Sequence, residues 1–495
     1  MSSNYDLSSN YEDVIIGLEV HIQITNLKTK LFCSCSADYR GDTPNSHNCP
    51  ICLGLPGSLP VINKKAIEFA TRLALALNCK INDSIYFFRK NYFYVDLPKG
   101  FQISQYNKAG GKAFADGGKI TIKLNGNKKD IRLNRIHLEE DPARLVHKGS
   151  IATSPYTLVD YNRSGVCLIE IVSEPVINSP EEAREYLRQL KSIVQYTGIS
   201  NLDLTGAARV DANISIKGHD RSEVKNISSF KEVERALKWE IQRQKNLLKR
   251  GKTLTQETRH WDDKRRITIS LRTKEFEEDY RYFPEQDLVP ILIDKNFIEK
   301  VKEELPEMPA ERAVRLHRDY NLSEFDSENL VLDKHIADFY EDGVNSDPSF
   351  GPSEYKQFCN WLMNDISGYL NEQNKTIKDT NAQPKQVVDL INYIKEGKIT
   401  TKIAKTFIGE MMNGISISKI IEKKGKKRIS NEQTIAENCR AVIKENPIIV
   451  EDCRKNQKAI EALIGRVMGK TKGQADPEIT RKIMVEILKQ IGIIE

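Results

Sequence analysis

Val14-Ile-Ile-Gly17-Leu-Glu19-Val-His21-Ile-Gln-Ile24 alternates apolar side chains with small or polar ones. A period of two reads as a β-strand, and it puts Glu19 and His21 on one face, ~7 Å apart along the chain. A carboxylate set into an apolar run is costly unless it is paired or bound to a cation. Two further stretches repeat the pattern: His137-Leu-Glu139-Glu140-Asp141 and Leu168-Ile-Glu170-Ile-Val-Ser-Glu174. Consecutive like charges, as in Glu139-Glu140-Asp141, need a cation or an arginine beside them. Each stretch alone also reads as structural, a core histidine beside a strand-end acid or a buried ion pair. The three together favour one shared Mg²⁺, an ion that prefers hard oxygen ligands and substrate phosphates.

Strand-like runs also cover Ser84–Phe88, Lys119–Leu124, Ile131–Leu138, Tyr156–Asn162, Leu168–Val172, Arg209–Lys217 and Arg266–Leu271. Helices fall irregularly among them. Ser179-Pro180-Glu181-Glu182 supplies an N-cap, a first-turn proline and acids at the positive dipole end. Ala183, Tyr186, Leu187, Leu190 and Val194 follow at helical spacing, and Gly198 stops the run. Lys64–Asn78 and Lys231–Arg250 read likewise. The irregular mixture predicts an α+β domain over residues 11–295, not a doubly wound sheet. Residues 296–425 read as an all-helical domain with segments at Pro309–Tyr320, Ser327–Asp342, Glu354–Leu370, Pro384–Gly397 and Ile403–Met412. Glu422–Arg428 is a charged, glycine-containing linker, and beyond it Asn431–Glu445, Gln457–Met468 and Pro477–Ile491 read as the three helices of a tail over 426–495. Residues 1–10 are polar and expected to be disordered.

The length of 495 residues calls for two to four domains. No apolar run approaches the ~18 residues of a membrane span, and the polar N-terminus matches neither a signal nor a transit peptide, so a cytoplasmic location is expected. Residues 423–495 hold sixteen Lys and Arg against ten Asp and Glu, an excess equal to the whole chain's net +6. Such a tail fits a polyanionic partner such as nucleic acid, or a solvated lysine-rich surface. Of nine cysteines, five (Cys79, Cys167, Cys359, Cys439, Cys453) are scattered and read as core residues. Cys33-Ser-Cys35 and Cys49-Pro-Ile-Cys52 form two close pairs, the spacing of a closed tetrahedral thiolate zinc site or, failing that, of reduced thiols.

Further polar clusters lie in the same half: Arg89-Lys90-Asn91-Tyr92, Arg209-Val-Asp211-Ala-Asn213 and Glu223-Val-Lys225-Asn226. Cations next to carboxylates suit a phosphate and metal centre, or a salt-bridged strand surface. Gly117-Gly118-Lys119 lacks the leading glycine of a P-loop. No dinucleotide fingerprint, Gly-x-Ser-x-Gly elbow or amidase glycine/serine stretch occurs, which disfavours a P-loop NTPase, a dinucleotide enzyme and a serine hydrolase.

Taken in order, Ile16-Gly-Leu-Glu-Val-His21, Arg89-Lys-Asn-Tyr-Phe-Tyr94, Gln102-Ile-Ser-Gln-Tyr106, His137-Leu-Glu-Glu-Asp141, Leu168-Ile-Glu-Ile-Val-Ser-Glu-Pro175, Arg209-Val-Asp-Ala-Asn-Ile-Ser215, Asp279-Tyr-Arg-Tyr-Phe-Pro-Glu285 and Lys472-Gly-Gln-Ala-Asp-Pro477 resemble GatB, one of the subunits of the tRNA-dependent aspartyl/glutamyl-tRNA(Asn/Gln) amidotransferases. The resemblance implies an N-terminal cradle with a mixed or antiparallel sheet, a helical domain and a YqeY-like tail that contacts tRNA. It implies a glutamine-dependent carbon–nitrogen ligase acting in a heterotrimer with the amidase GatA and the strap GatC. In the family, ATP phosphorylates the side-chain carboxylate of misacylated Asp-tRNA(Asn) or Glu-tRNA(Gln), and ammonia channelled from the amidase displaces the phosphate. Carried over by motif, Glu19, His21, Glu140 and Glu170 are the expected Mg²⁺ ligands, with Glu139 pointing elsewhere if its segment is extended. Lys90 and Lys99, with Glu140 at the mouth, match the ammonia channel and its gate. Tyr92, Arg209, Asp211, Asn213, Glu223, Lys225 and Asn226 match the lining of the nucleotide or acyl pocket. Cys33, Cys35, Cys49 and Cys52 are expected to hold structural Zn²⁺. The rival reading is a non-catalytic, zinc-dependent tRNA-binding scaffold of the same complex.

Overall fold

A computed structural model describes residues 11–148, 154–227, 229–273, 277–424, 431–471 and 474–494. The N-terminal decapeptide, most of the expected linker and Lys472-Gly473 lie outside the described residues. Two compact units emerge, residues 1–309 and 310–495.

The first unit is built on a ten-stranded sheet. Its strands are β1 (Val14–Gln23), β2 (Lys80–Ile81), β3 (Ala115–Asp116), β4 (Lys119–Leu124), β5 (Asn127–Glu140), β6 (Cys167–Ser173), β7 (Ala208–Ile216), β8 (Ser222–Ile227), β9 (Glu257–Asp262) and β10 (Ile267–Thr273). Their order is β10-β9-β8-β7-β1-β6-β5-β3-β2, with β4 paired to β5. Every pairing is antiparallel except β8 with β9. The opening stretch is therefore the central strand, which explains its apolar alternation: Val14, Ile16, Leu18, Val20 and Ile22 are all buried. This face packs beneath helices α1 (Lys64–Ala76), α2 (Pro180–Thr197) and α3 (Phe230–Lys249), whose Ala70, Leu73, Leu187, Leu190, Ala236 and Leu237 join one core. The start and stop of α2 fall where the caps place them. The Ser179 side chain accepts from Glu182 N, and Gly198 closes the helix at φ 68°, a left-handed conformation that glycine adopts without penalty.

A small sheet flanks the main one: Phe283–Pro284 pairs with Phe88–Asn91, which pairs with Phe101–Ser104. The expected strand Ser84–Phe88 is split, because Ile85 pairs with Ile291 whereas Phe88 pairs with Ser104. Tyr156–Asn162 gives a strand only at Thr157–Asp160 and then turns at Tyr161–Arg163, where the Asp160 side chain accepts from Asn162 N.

The second unit is helical. The expected Ser327–Asp342 helix is two, Glu324–Leu330 and Lys334–Asn345, divided where Asp333 caps the second. Ile403–Met412 is likewise two, Thr401–Lys405 and Ile408–Met412. The C-terminal bundle has four α-helices among its described residues rather than three: Glu432–Glu445, Pro447–Lys455, Ile460–Lys470 and Pro477–Gln490. The additional one begins at Asn446-Pro447, a first-turn proline. Its core joins Ile435, Cys439, Val442, Leu463, Val467, Met484 and Leu488. All five scattered cysteines are buried. Among the described residues no helix is long and apolar enough to cross a membrane.

Candidate active site

Opposite its apolar face, β1 presents Glu19, His21 and Gln23, and the neighbouring strands fix what meets them. Pairing aligns Arg209, His21, Glu170 and His137 in one row across β7, β1, β6 and β5, and aligns Asp211 with Glu19 in the next. Three carboxylates consequently converge on one imidazole. His21 Nε2 lies 3.9 Å from Glu19 Oε1, 3.7 Å from Glu139 Oε1 and 3.9 Å from Glu170 Oε1. Glu19, His21 and Glu170 can offer ligand atoms all within 4.8 Å of one another.

The electrostatics suit a cation. Burial, then the charge of Arg209, lowers the His21 pKa to about 4, so its imidazole is neutral at pH 7 and keeps a lone pair. His21 Nδ1 has no hydrogen-bond partner among the described residues. Burial raises Glu19 well above the usual carboxylate range, reinforced by Glu170. Burial also pushes Glu170 toward neutrality, but hydrogen bonds to His137 and Glu19 outweigh it and hold Glu170 ionised. Glu139 is pushed up to about 7 by burial and by Glu170. A proton thus stands where a metal ion would neutralise the same repulsion. Around this centre, His137 Nδ1 lies 3.0 Å from Glu170 Oε2, and the Ser104 hydroxyl donates to Glu139 Oε2 at 3.0 Å. Lys225 Nζ sits 3.2 Å from Asp211 Oδ2 and 3.1 Å from Glu223 Oε1.

Elsewhere in the same unit the four sulfurs of Cys33, Cys35, Cys49 and Cys52 lie within 4.8 Å of one another. Sulfurs about 2.3 Å from one tetrahedral zinc ion would be closer still, so the set fits with small adjustment. Cys49 N donates to Cys52 Sγ at 3.2 Å. A hydrogen bond from Cys33 is the main cause that lowers the Cys52 thiol to about 4, whereas burial lifts Cys35 to about 11.

Residues 14–299 match the GatB/GatE catalytic domain, and residues 344–488 match the GatB domain. The GatB subunit of the aspartyl/glutamyl-tRNA(Asn/Gln) amidotransferase of Sulfolobus acidocaldarius is 46% identical over 482 residues, 97% of this chain and 100% of that protein. Its counterpart in Sulfurisphaera tokodaii is 45% identical over 96% of this chain and 99% of its own, and that of Thermotoga maritima 45% over 96% and 98%. The chain belongs to the GatB family.

The GatB motifs do not all land together. The expectation that Glu140 joins Glu19, His21 and Glu170 is corrected by the register of β5. Glu170 pairs with His137, so the odd-numbered side chains of β5 share its face and Glu139, not Glu140, points at His21. Both Glu140 oxygens are taken instead by Lys99 Nζ, at 2.5 and 2.7 Å, and Ile103 N donates to Oε1 at 2.8 Å. Arg209 reaches Asp141 at 3.5 Å, and Gln23 Nε2 donates to Asp141 Oδ2 at 2.6 Å. Asn213 pairs with Gly17 on β1, and its Oδ1 is buried with no partner among the described residues. Asn226 lies on β8, but its side chain is outside the described part.

Lys90 and Tyr92 belong to an aromatic box. Lys90 Nζ lies 4.8 Å from the Tyr280 ring centre and 5.9 Å from that of Tyr92. Tyr106 and Tyr282 stack at 4.2 Å. Arg89 clamps this segment through two 2.7 Å bonds to Glu285. Tyr106, Tyr280, Tyr282, His137 and Glu139 were not foreseen as site residues. The spacing Tyr280-x-Tyr282, in a segment without apolar alternation, was the available signal for the box.

Proposed function

We propose that this chain activates the aminoacyl carboxylate in a tRNA-dependent amidotransferase, phosphorylating the side chain of misacylated Asp-tRNA(Asn), Glu-tRNA(Gln) or both with ATP. The observation that supports this reading is the convergence of Glu19, Glu139 and Glu170 on a neutral His21. These four groups would hold Mg²⁺. The chemistry supplied there would be electrostatic, positive charge that offsets the negative charge developing on the phosphoryl group during transfer. Arg209, held by Asp141, and Lys225, held by Asp211 and Glu223, would position the nucleotide and the acyl group together with Asn213 and Tyr92. Carboxylates are poor acyl donors, and phosphorylation supplies the leaving group that ammonia displaces.

No amidase signature exists in this chain, so ammonia would come from GatA, with GatC holding the assembly. Lys90 and the Lys99–Glu140 pair would guide ammonia in. The C-terminal tail, whose excess positive charge is concentrated in Lys423–Arg428 ahead of the bundle, would bind the tRNA backbone. Deleting residues 423–495, the basic linker together with the bundle, is expected to weaken tRNA affinity and flatten its salt dependence while sparing glutaminase activity, as read by filter binding at several salt concentrations and by glutamate release. Unchanged tRNA binding would exclude this role for the tail.

The test of the main reading is ATP cleavage by the reconstituted heterotrimer. Cleavage should require misacylated tRNA, and uncharged tRNA should not support it. Tight tRNA binding with no such cleavage would favour the zinc-dependent scaffold instead.

A further inference from the structure

Lys30 is fully buried. Its ammonium donates to His47 O at 2.8 Å and sits 3.7 Å from Cys52 Sγ. Four thiolates around a divalent ion carry a net charge of about −2, and burying that charge is costly without a counter-ion. Lys30 supplies one, and its backbone is tied into the cluster by Lys30 N donating to Cys35 O at 2.9 Å.

The same cysteine knob abuts the Lys99–Glu140 pair from two sides. Cys52 lies in the short helix Pro50–Leu53, which ends at Gly54 with φ 68°. A Cβ on Gly54 would stand 2.2 Å from Lys99 Cγ and 3.2 Å from Lys99 Cα. Lys99 is therefore seated directly on the helix cap. Across the pair, a Cβ on Gly165 would stand 3.4 Å from Cys52 Cβ, 3.6 Å from Lys30 Cδ and 3.9 Å from Glu140 Oε2. Gly165 thus sits between the knob and the carboxylate, and Gly165 O accepts from Leu31 N at 3.0 Å.

We propose that the four-cysteine metal centre is the strut of the Lys99–Glu140 pair, with Lys30 and Gly54 as positioning residues that transmit its order to the pair. The inference rests on reading that pair as the entry for ammonia. Neither Lys30 nor Gly54 touches substrate. Their contribution is to keep Lys99 and Glu140 in register, so that ammonia released by the partner amidase is used rather than lost.

The test uses the full heterotrimer and compares Lys30→Met, Lys30→Arg, Gly54→Ala, Lys99→Met and zinc-stripped wild type. Three quantities are measured: bound zinc by elemental analysis during chelator challenge, glutamine consumed per amide formed, and amide formed from added ammonium salt. Lys30→Met should weaken zinc retention on the order of 10- to 100-fold, the scale for loss of an outer-shell partner, and Lys30→Arg should restore it. Gly54→Ala should keep zinc yet raise glutamine consumed per amide on the order of tenfold or more, as expected for a group displaced by about an ångström. Zinc stripping should do the same, with ammonium-supported amidation preserved. Normal coupling after zinc stripping, or in Gly54→Ala, overturns the proposal, as does undiminished zinc retention in Lys30→Met. If Lys99→Met itself leaves coupling normal, the ammonia-entry reading is what has failed. If Lys99→Met uncouples while zinc stripping and Gly54→Ala do not, only the strut has failed.

Discussion

Glu139→Gln and Glu170→Gln are each expected to lower misacylated-tRNA-dependent ATP cleavage on the order of 100- to 1,000-fold, the range for losing one electrostatic partner of a developing charge. Glu140→Gln is expected to lower it far less and to show its defect in glutamine-supported amide formation. The asymmetry follows from one pairing. Because Glu170 is opposite His137, Glu139 shares the face of Glu19 and His21, while Glu140 is held by Lys99 and Ile103 N. A glutamine at position 139 or 170 keeps volume and removes a charge, so a loss cannot be ascribed to a cavity. Single-turnover ATP cleavage in the reconstituted complex separates this step from ammonia delivery. Equal damage from Glu139→Gln and Glu140→Gln would show that the two carboxylates are not divided between opposite faces of β5.

The division between Glu139 and Glu140 shows where sequence reading stops. The period of two in Val14–Ile24 was legible, as were the caps of α2 and the two cysteine pairs, because each is a local pattern with a local cause. Which of two adjacent acids faces Glu170 is not local. It depends on the register between β5 and β6, and a slip of one residue exchanges every side chain between faces. Glu139 was expected to point elsewhere if its segment is extended; the segment is extended, and the register turns Glu139 toward His21. His137 was hidden for the same reason, since its role as the partner of Glu170 exists only across strands. The tyrosine box joins residues near positions 92, 106 and 280, which are far apart in sequence. Lys30 reads in sequence as one more surface lysine; only the packing of Cys52 and Gly165 around it shows a buried cation. The helix at Pro447–Lys455 is different, because Asn446-Pro447 was a readable start.

Glu139→Gln should also stabilise the complex in the absence of divalent cations, even as it removes activity. The folded-state pKa of Glu139 is raised from 4.5 to about 7 by burial and by Glu170. A raised pKa contributes stability that is fully present below 4.5 and is lost as pH rises through about 7. Above that range the ionised carboxylate costs at most about 3.5 kcal/mol, taking ~1.4 kcal/mol per pKa unit. Glutamine cannot ionise and avoids the cost. The variant's advantage over wild type should therefore be small near pH 5 and grow to about 1–3 kcal/mol by pH 8, worth ~2–4 °C of Tm per kcal/mol for a unit of this size. His21 titrates in the opposite sense, since its lowered pKa makes stability rise with pH between about 4 and 6.5. That contribution is common to both proteins and drops out of the difference between them. Added Mg²⁺ should raise the wild-type Tm at pH 8 and raise the variant's much less, because a ligand stabilises only the state that binds it. Thermal unfolding at pH 5 and pH 8, with and without Mg²⁺, reads all four corners. A variant less stable than wild type at pH 8 without Mg²⁺ would mean that Glu139 is already neutralised by a protein partner, and that its place in the carboxylate cluster is structural rather than a seat for a metal ion.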